Sequence, residues 1–124
     1  MKKQKNLNKI ISNIISTKKK RYALIIGETP SRGARSPKLW NKVYRKQNKK
    51  IEMYPADVSR KNLKVLMNYL KLDDLFIGSA VTTPYKEVIL KYIKSISSEA
   101  KSIGSINTIK KIHKKMVGYN TDYH

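Results

Sequence analysis

Residues 22–37 read YALIIGETPSRGARSP, and this stretch decides the fold because a strand, a loop and a helix start follow one another directly. Residues 22–26 form a short apolar run, which predicts a buried strand. Gly27 and the turn-forming residues after it predict the end of that strand and a loop. Pro37 suits the first turn of a helix, with Ser36 before it as the N-cap.

The same order of elements continues towards residue 96. Residues 51–54 and 76–81 predict a second and a third strand. Between them, apolar side chains spaced i, i+3, i+4 and i+7 predict an amphipathic helix through Leu63, Leu66, Met67 and Leu70. Pro84 predicts the start of the next helix, whose inward stripe is formed by Ile89, Tyr92, Ile93 and Ile96.

The rest of the chain predicts one short helix and two strands. Residues 98–103 predict a helix that ends at Gly104, and residues 106–109 and 116–119 predict two paired strands around a basic turn. Strands that alternate with helices favour an α/β fold. We therefore expect a mostly parallel sheet with helices on both faces.

A basic leader, residues 1–21, precedes the domain that we assign to residues 22–124. Its apolar side chains fall on one helical stripe, formed by Leu7, Ile10, Ile11, Ile14 and Ile15. Such a helix can pack on the domain or lie on an anionic membrane. We favour packing, because the apolar face is only about two turns long.

Composition excludes several classes of function. The 124 residues carry 28 Lys and Arg against 8 Asp and Glu, a formal charge of +20 that suggests a nucleic-acid partner. Most of these bases are lysine, however, whereas arginine is favoured in reading phosphates and bases, so we interpret the charge as a compositional bias. The absence of cysteine excludes disulfides and thiolate sites. It agrees with a cytoplasmic location, and no apolar run approaches the length of a membrane span.

Polar segments follow the predicted strands at one edge of the sheet. In open α/β sheets ligands bind beyond the carboxyl ends of the strands. Residues 27–37, 82–87 and 120–122 each come directly after a strand. If the last two strands pair antiparallel, Asn107 joins the same edge. The sequence therefore predicts a ligand site built from four distant segments.

These four segments resemble the substrate-binding domain of the shikimate dehydrogenase family, and the resemblance covers about four-fifths of the chain. The matching stretches are residues 27–37, the VTTPYKE of residues 81–87, residues 100–108 with the INT of 106–108, and the GYNTD of residues 118–122. The resemblance implies the family's α/β substrate domain. It also implies an NADP-dependent enzyme that reduces 3-dehydroshikimate to shikimate, on the route to chorismate and the aromatic amino acids.

Roles for individual residues follow from the resemblance. Lys86 corresponds to the catalytic lysine and Asp122 to its carboxylate partner, and the two are expected to transfer a proton and to bind the substrate. Ser36, Thr82 and Asn107 correspond to substrate-binding positions, and Asn120 or Thr121 is a further candidate. Plainer interpretations exist for each: a solvated lysine, helix caps for the acid and the hydroxyls, and a strand-end amide that binds backbone.

The sequence departs from the family pattern at two positions. Ala34 stands where the family's carboxylate clamp has its first serine, and the loss of a hydrogen bond to a charged group costs about 1.5–3 kcal/mol. Candidates to compensate for this loss are Arg35, Arg32 and Ser31. Ala80 replaces an asparagine, and Trp40 stands where a histidine is frequent; we expect the Trp40 ring to pack on the sheet.

The cofactor and the partners are expected to lie largely outside this chain. No G-x-G-x-x-G fingerprint occurs, so the chain has no dinucleotide site of its own by sequence. We expect an amino-terminal piece of a longer enzyme, whose missing Rossmann domain binds NADP. His113 and His124 have no partners at metal-ligand spacing, so no metal site is predicted. A homodimer is left open, and neither a specific nucleic-acid partner nor a membrane span is expected.

Two other functions are retained as alternatives. One is a basic nucleic-acid-binding module without catalysis, which the charge favours and the order of the four segments opposes. The other is a stand-alone pseudoenzyme that binds a polyol acid, for which Ala34 and Ala80 are the support. Within the dehydrogenase interpretation, quinate is left open as a substrate beside shikimate.

Overall fold

The computed structural model describes residues 2–122, with side chains from Asn6 onward. Six strands run through the chain: β1 Arg21–Gly27, β2 Ile51–Asp57, β3 Phe76–Val81, β4 Ser95–Ile96, β5 Thr108–Ile112 and β6 Lys115–Tyr119. The α-helices are α1 Lys2–Ile10, α2 Ser36–Lys46, α3 Leu63–Leu72 and α4 Ser98–Ile103. Three 3-10 helices cover Pro30–Arg32, Arg60–Asn62 and Val88–Tyr92.

The strands form one six-stranded sheet in the order β2-β1-β3-β5-β6-β4. β1 pairs in parallel with both β2 and β3, and β4 pairs in parallel with β6. β5 is antiparallel to its neighbours β3 and β6. The predicted fold class, a mostly parallel sheet with helices, is confirmed. The antiparallel β5 matters for the site, because it starts at the edge where β1, β3 and β6 end.

The main core lies between one face of the sheet and α3. Tyr22, Leu24 and Ile26 alternate along β1 and pack in one cluster with Leu66 and Leu70. Each such side chain contributes about 1.5–3 kcal/mol when it is fully removed from water. The four residues predicted to line the inner face of α3 are all buried, so that prediction is confirmed: Leu63, Leu66, Met67 and Leu70.

The opposite face of the sheet is covered only in part by α2. This helix begins at Ser36, and Arg35 occupies the N-cap position without a side-chain hydrogen bond. The N-cap prediction for Ser36 is therefore wrong by one residue. Trp40 is 48% exposed and borders a groove over the sheet residues Ala23 and Met53, so about half of this side chain stays in solvent.

The helix predicted to start at Pro84 is wrong. The peptide between Thr83 and Pro84 is cis, turns follow it, and only the short 3-10 helix Val88–Tyr92 forms. Beyond that helix the chain forms β4, which pairs with β6. The apolar spacing of this segment equals that of α3, but its last residues, Ser95 and Ile96, pair with β6, and such tertiary contacts override a helical pattern. Ile89 and Ile93 are buried in either case.

The last two strands pair antiparallel, as predicted. Their turn is His113–Lys114, and both residues have positive φ, 49° and 66°. This is the geometry of a two-residue turn whose twist matches that of the strands it joins. β5 therefore extends to Ile112 instead of ending at residue 109.

The leader is helical over a shorter stretch than the apolar stripe predicts. α1 ends at Ile10, and the Asn8 side chain then binds both backbone groups of Ile15, at 2.9 and 3.0 Å. This turn buries Leu7 and Ile15 and leaves Ile14 87% exposed. No helix within residues 2–122 is long and apolar enough to cross a membrane.

A buried polar cluster fixes the amino-terminal end of β1. The Tyr22 hydroxyl donates to the Asp73 carboxylate at 2.6 Å, and that carboxylate also accepts the Leu75 N–H at 3.1 Å. The Lys111 ammonium donates hydrogen bonds to the backbone carbonyls of Leu70 and Asp73 at the end of α3. Burial, followed by the hydrogen bond to Asp73, raises the pKa of the Tyr22 hydroxyl above its ordinary value.

Removal of the Tyr22 hydroxyl should destabilise the fold. Tyr22→Phe leaves a carboxylate oxygen of Asp73 buried without its donor, so we expect a loss of about 1–3 kcal/mol in the free energy of unfolding, measured in urea. Tyr44→Phe is the control, because within residues 2–122 the Tyr44 hydroxyl makes no hydrogen bond. An equal loss in both variants would show that the Asp73 contact does not matter.

The stability difference between wild type and Tyr22→Phe should also shrink at high pH. The folded state holds the Tyr22 proton more tightly than the unfolded state, because the folded pKa is raised. This contribution is fully present below the ordinary tyrosine pKa of about 10 and is lost as the pH rises above it. Urea titrations between about pH 8 and 11 measure it. A difference that grows with pH would contradict the assignment.

Candidate functional site

Three backbone hydrogen bonds bring the predicted segments to one edge of the sheet, here called the rim. The Thr82 N–H donates to the Ile26 carbonyl at 2.9 Å, so the end of β3 lies beside the end of β1. The Val81 N–H donates to the Asn107 carbonyl at 2.8 Å, and the Asn107 N–H donates to the Tyr119 carbonyl at 3.0 Å. The rim therefore holds Gly27 at the end of β1, Thr82 after β3, Asn107 before β5 and Asn120 after β6.

Gly27 allows the first two segments of the rim to touch. A Cβ atom at this position would lie 2.5 Å from the Thr82 methyl carbon and 3.3 Å from the Thr83 carbonyl oxygen. Since the first of these distances is below any real contact, a larger residue would force the Thr82 methyl group to move. Gly27 thus leaves the space that the Thr82 side chain occupies.

Lys86 lies half-buried in an open cleft of about 620 Å³. It is in a turn between the cis Thr83–Pro84 peptide and the 3-10 helix Val88–Tyr92, not in the first turn of an α-helix as predicted. The cleft is lined by Arg60, Thr83, Pro84, Lys86, Glu87, Val88 and Lys91. Three of these side chains are cationic and one is acidic, so the cleft favours an anionic ligand.

Two buried contacts fix the turn that carries Lys86. The Lys86 carbonyl accepts the Ile106 N–H at 2.8 Å, which joins this turn to the segment before Asn107. The neighbouring Tyr85 is buried and donates its hydroxyl to the Val58 carbonyl at 2.6 Å. Burial raises the pKa of the Tyr85 hydroxyl, which keeps the phenol protonated as a donor. The Lys86 side chain therefore extends from a turn that is held on both sides.

Asp122 is exposed at the end of the described chain, and its backbone N–H donates to the Asn120 side-chain oxygen at 2.8 Å. Asn120 is nearly buried, and its amide nitrogen also donates to the carbonyl and the hydroxyl of Ser105. Asn120 thus shapes the turn that carries Asp122. Within residues 2–122 no ion pair joins Asp122 to Lys86, so the structure brings their segments to one rim without bringing the two charges into contact.

Asn107 is oriented by the same turn. Its amide nitrogen donates to the Thr121 hydroxyl at 2.9 Å, and its amide oxygen accepts the Thr121 N–H at 3.0 Å and the Thr108 hydroxyl at 2.9 Å. An amide nitrogen has two N–H groups and an amide oxygen two lone pairs. Within residues 2–122, one N–H group of the Asn107 side-chain amide therefore has no hydrogen-bond partner.

Thr82 lies at the rim and Ser36 begins α2, but neither lines the Lys86 cleft, and Asn107 and Asp122 do not line it either. Ser36 is the first residue of α2, where unpaired backbone N–H groups gather, and its side chain is half-buried. Thr82 is half-buried, with its methyl group against Gly27. Ala80 lines the groove beside Trp40 and not the cleft, so its effect on a ligand in the cleft is indirect.

Sequence reasoning missed Asp57, which binds the loop of the rim. Both the N–H and the hydroxyl of Ser31 donate to its carboxylate. The Ser31 hydroxyl is thus committed, which argues against its suggested role as a substitute for the serine missing at Ala34. Asp57 went unnoticed because β2 was expected to end before Pro55. Proline is tolerated on an edge strand, and β2 continues through it to Asp57.

The described residues do not fit a dinucleotide. β1 ends at Gly27, the loop after it contains only Gly33, and the other glycines lie within β3, after α4 and within β6. A pyrophosphate cradle needs glycines close together at a strand–helix turn, where the backbone can approach the ligand. Within residues 2–122 there is also no cluster of three or more His, Asp or Glu side chains that could hold a metal ion.

Comparison with known proteins identifies the fold and the family. The family model for the shikimate dehydrogenase substrate binding domain matches residues 25–109. The NADP(+) shikimate dehydrogenase of Clostridium beijerinckii is 38% identical over 100 residues, which are 81% of this chain and 36% of that protein.

Solved structures agree with this match. Shikimate dehydrogenase 1 of Peptoclostridium difficile superposes with a TM-score of 0.77 at 35% identity, covering 82% of this chain and 37% of that one. Shikimate 5-dehydrogenase of Listeria monocytogenes, in complex with shikimate and NAD, superposes with a TM-score of 0.77 at 27% identity, covering 93% and 38%. The chain spans about a third of the length of these relatives. It belongs to the shikimate dehydrogenase substrate-binding domain family.

Proposed function

We propose that this chain is the substrate-binding part of an NADP-dependent shikimate dehydrogenase, which interconverts 3-dehydroshikimate and shikimate. The observation that carries the proposal is the position of Lys86. Its side chain lines an open cleft, on a turn fixed from both sides, at the rim where the family's other motif segments meet. A nucleic-acid module does not account for a lysine placed in this way among these segments.

Lys86 would act on the substrate's reacting oxygen. Reduction of a ketone places negative charge on its oxygen, and an ammonium group within hydrogen-bond distance stabilises that charge and supplies the proton. In the reverse direction the neutral amine accepts the proton of the hydroxyl group. The cleft also contains Arg60 and Lys91, which attract an anionic substrate from solution.

Asp122 would join Lys86 once the substrate is present. Its carboxylate is exposed and its backbone is oriented by Asn120, so the side chain is available to a ligand hydroxyl. In our proposal Asp122 accepts a hydrogen bond from a ligand hydroxyl and from the Lys86 ammonium. Because the two side chains do not touch in the ligand-free chain within residues 2–122, we expect substrate binding to bring them together.

The remaining groups would position the substrate. Asn107 has one free amide N–H, so we assign it as a donor to a ring hydroxyl. Thr82 lies beside it across the β3–β5 contact and contributes a hydroxyl. Ser36 and the free N–H groups at the start of α2 suit the substrate carboxylate. Ala34 removes one donor from this group, and either Arg32 or Arg35, both exposed in the loop, can supply a replacement charge.

The hydride donor would bind outside these residues. The chain lacks a dinucleotide cradle, while the relatives that it matches are NADP(+) enzymes of about three times the matched length. We therefore assign to this chain the binding of the substrate and the movement of the proton at the reacting oxygen. Quinate is kept as a second substrate candidate, because Ala34 and Ala80 alter the family pattern.

Shikimate should bind to the isolated chain at the rim. In a titration followed by ¹⁵N NMR, we expect shifts of the amides of residues 82–86, 107 and 120–122, with a smaller response to quinate. Lys86→Met should weaken binding roughly ten- to a hundred-fold, the cost of a hydrogen bond to a charged group. Lys91→Met is the matched control, because Lys91 lines the same cleft but is exposed. Shifts confined to other surfaces would contradict the proposal.

Catalysis should depend on Lys86 far more than on Lys91. In a protein that joins these residues to an NADP-binding domain, Lys86→Ala should lower kcat for NADP+ reduction by about 10²–10⁴, the usual contribution of a general acid–base group. Lys91→Ala should change kcat by less than about threefold, because Lys91 contributes only its charge to the cleft. Equal activity of wild type and Lys86→Ala would remove the proton-transfer role.

A further inference from the structure

The loop after β1 is held by one side chain from another strand. Asp57, at the end of β2, accepts the Ser31 N–H on Oδ1 at 2.9 Å and the Ser31 hydroxyl on Oδ2. The next residue, Val58, donates its N–H to the Gly27 carbonyl at 3.0 Å. The loop is therefore fixed to the end of β2 at its start and at Ser31.

Asp57 is only 8% exposed, so these contacts are made by a desolvated carboxylate. Hydrogen bonds to an ionised acceptor are about twice as strong as neutral ones. A buried carboxylate that lost them would be costly, because little water reaches it to replace the donors. The Ser31 contacts therefore fix the loop firmly in one place.

Residues of the leader hold Asp57 in turn. β2 is an edge strand, and no other strand within residues 2–122 pairs with its outer edge. The Ser12 N–H donates to the Asp57 carbonyl at 2.7 Å, and the Asn13 side-chain oxygen accepts the Asp57 N–H at 2.8 Å. The Asn13 amide nitrogen also donates to the Pro55 carbonyl at 2.8 Å. Both backbone groups of Asp57 are thus bound by residues that follow α1.

We propose that Asp57 is a positioning residue for the loop that receives the substrate carboxylate, and that Asn13 of the leader sets its position. The continuous path runs from Asn13 to the Asp57 backbone, from its carboxylate to Ser31, and along the loop to Ser36. The role assigned to the loop rests on the proposed function. The path itself does not, because it consists of contacts within this chain.

The chain contains a matched control for Asn13. Asn41, on α2, binds the same edge strand by the same pair of contacts: its side-chain oxygen accepts the Met53 N–H at 2.6 Å, and its amide nitrogen donates to the Met53 carbonyl at 3.1 Å. Both asparagines are half-buried. Asn41→Ala therefore removes one donated and one accepted hydrogen bond from β2, as Asn13→Ala does, but at Met53, four residues before Asp57.

Hydrogen exchange tests the path in the chain as it is. Asn13→Ala should speed the exchange of the Ser31 amide about tenfold or more, whereas Asn41→Ala should leave that amide unchanged, although both should lower the free energy of unfolding to a similar extent. Ser31→Ala, which keeps the backbone donor, is the milder second variant and should speed exchange at Arg32 and Ala34. Equal Ser31 exchange in the two asparagine variants would overturn the proposal.

Shikimate binding tests the role of the path. Asn13→Ala should raise the Kd for shikimate several-fold, and in a protein joined to an NADP-binding domain it should raise KM without lowering kcat, because no residue of the path touches the reacting oxygen. Asn41→Ala should change neither. An unchanged Kd despite faster Ser31 exchange would overturn the positioning role. If wild type binds no shikimate, the proposed function fails while the exchange result still decides the path.

Discussion

Antiparallel pairing of β5 with β3 and β6 is the constraint on which the site depends. β1, β3 and β6 all end at the rim, whereas β5 begins there, so its preceding residue, Asn107, meets the residues that follow the other strands. The backbone of Asn107 then binds Val81 on one side and Tyr119 on the other. A parallel strand in this position would place residue 107 at the far edge of the sheet.

The rim also shows why the charge of the chain says little about its function. Of the many lysines, Lys86 is distinguished by its surroundings: a turn anchored by Tyr85, a carbonyl bound to Ile106 and a cleft on its side-chain face. The other cations of the cleft, Arg60 and Lys91, add a field that attracts anions. Specificity for a polyol acid would come from the hydroxyls and the amide at the rim, and the direction of the Asn107 amide is fixed by Thr108 and Thr121.

The sequence predicts α3 and α4 correctly, from neighbouring residues that carry the full apolar spacing of a helix or cap both its ends. α3 has the full apolar spacing, and α4 has both its N-cap, Ser97, and its left-handed Gly104. The segment after Pro84 has the same apolar spacing as α3, yet it forms a 3-10 helix and then a strand that pairs with β6, a contact that local spacing does not indicate. Asp57 and Asn13 are 44 residues apart, and no local pattern indicates their contact. Motif resemblance and strand ends suggest a site formed by Lys86, Asp122, Ser36, Thr82 and Asn107, which stays a prediction, whereas the contacts around these residues required coordinates.

The central claim is that Lys86 acts on the oxygen of a substrate held at this rim. A crystal structure of the chain with shikimate bound tests it most directly, through the distance from the Lys86 Nζ to the ligand hydroxyl that is oxidised. The account predicts about 2.6–3.2 Å, the range required for proton transfer, with the ligand carboxylate at the start of α2. A shikimate molecule bound in the cleft with its carboxylate on Lys86, or bound away from the rim, would contradict the account.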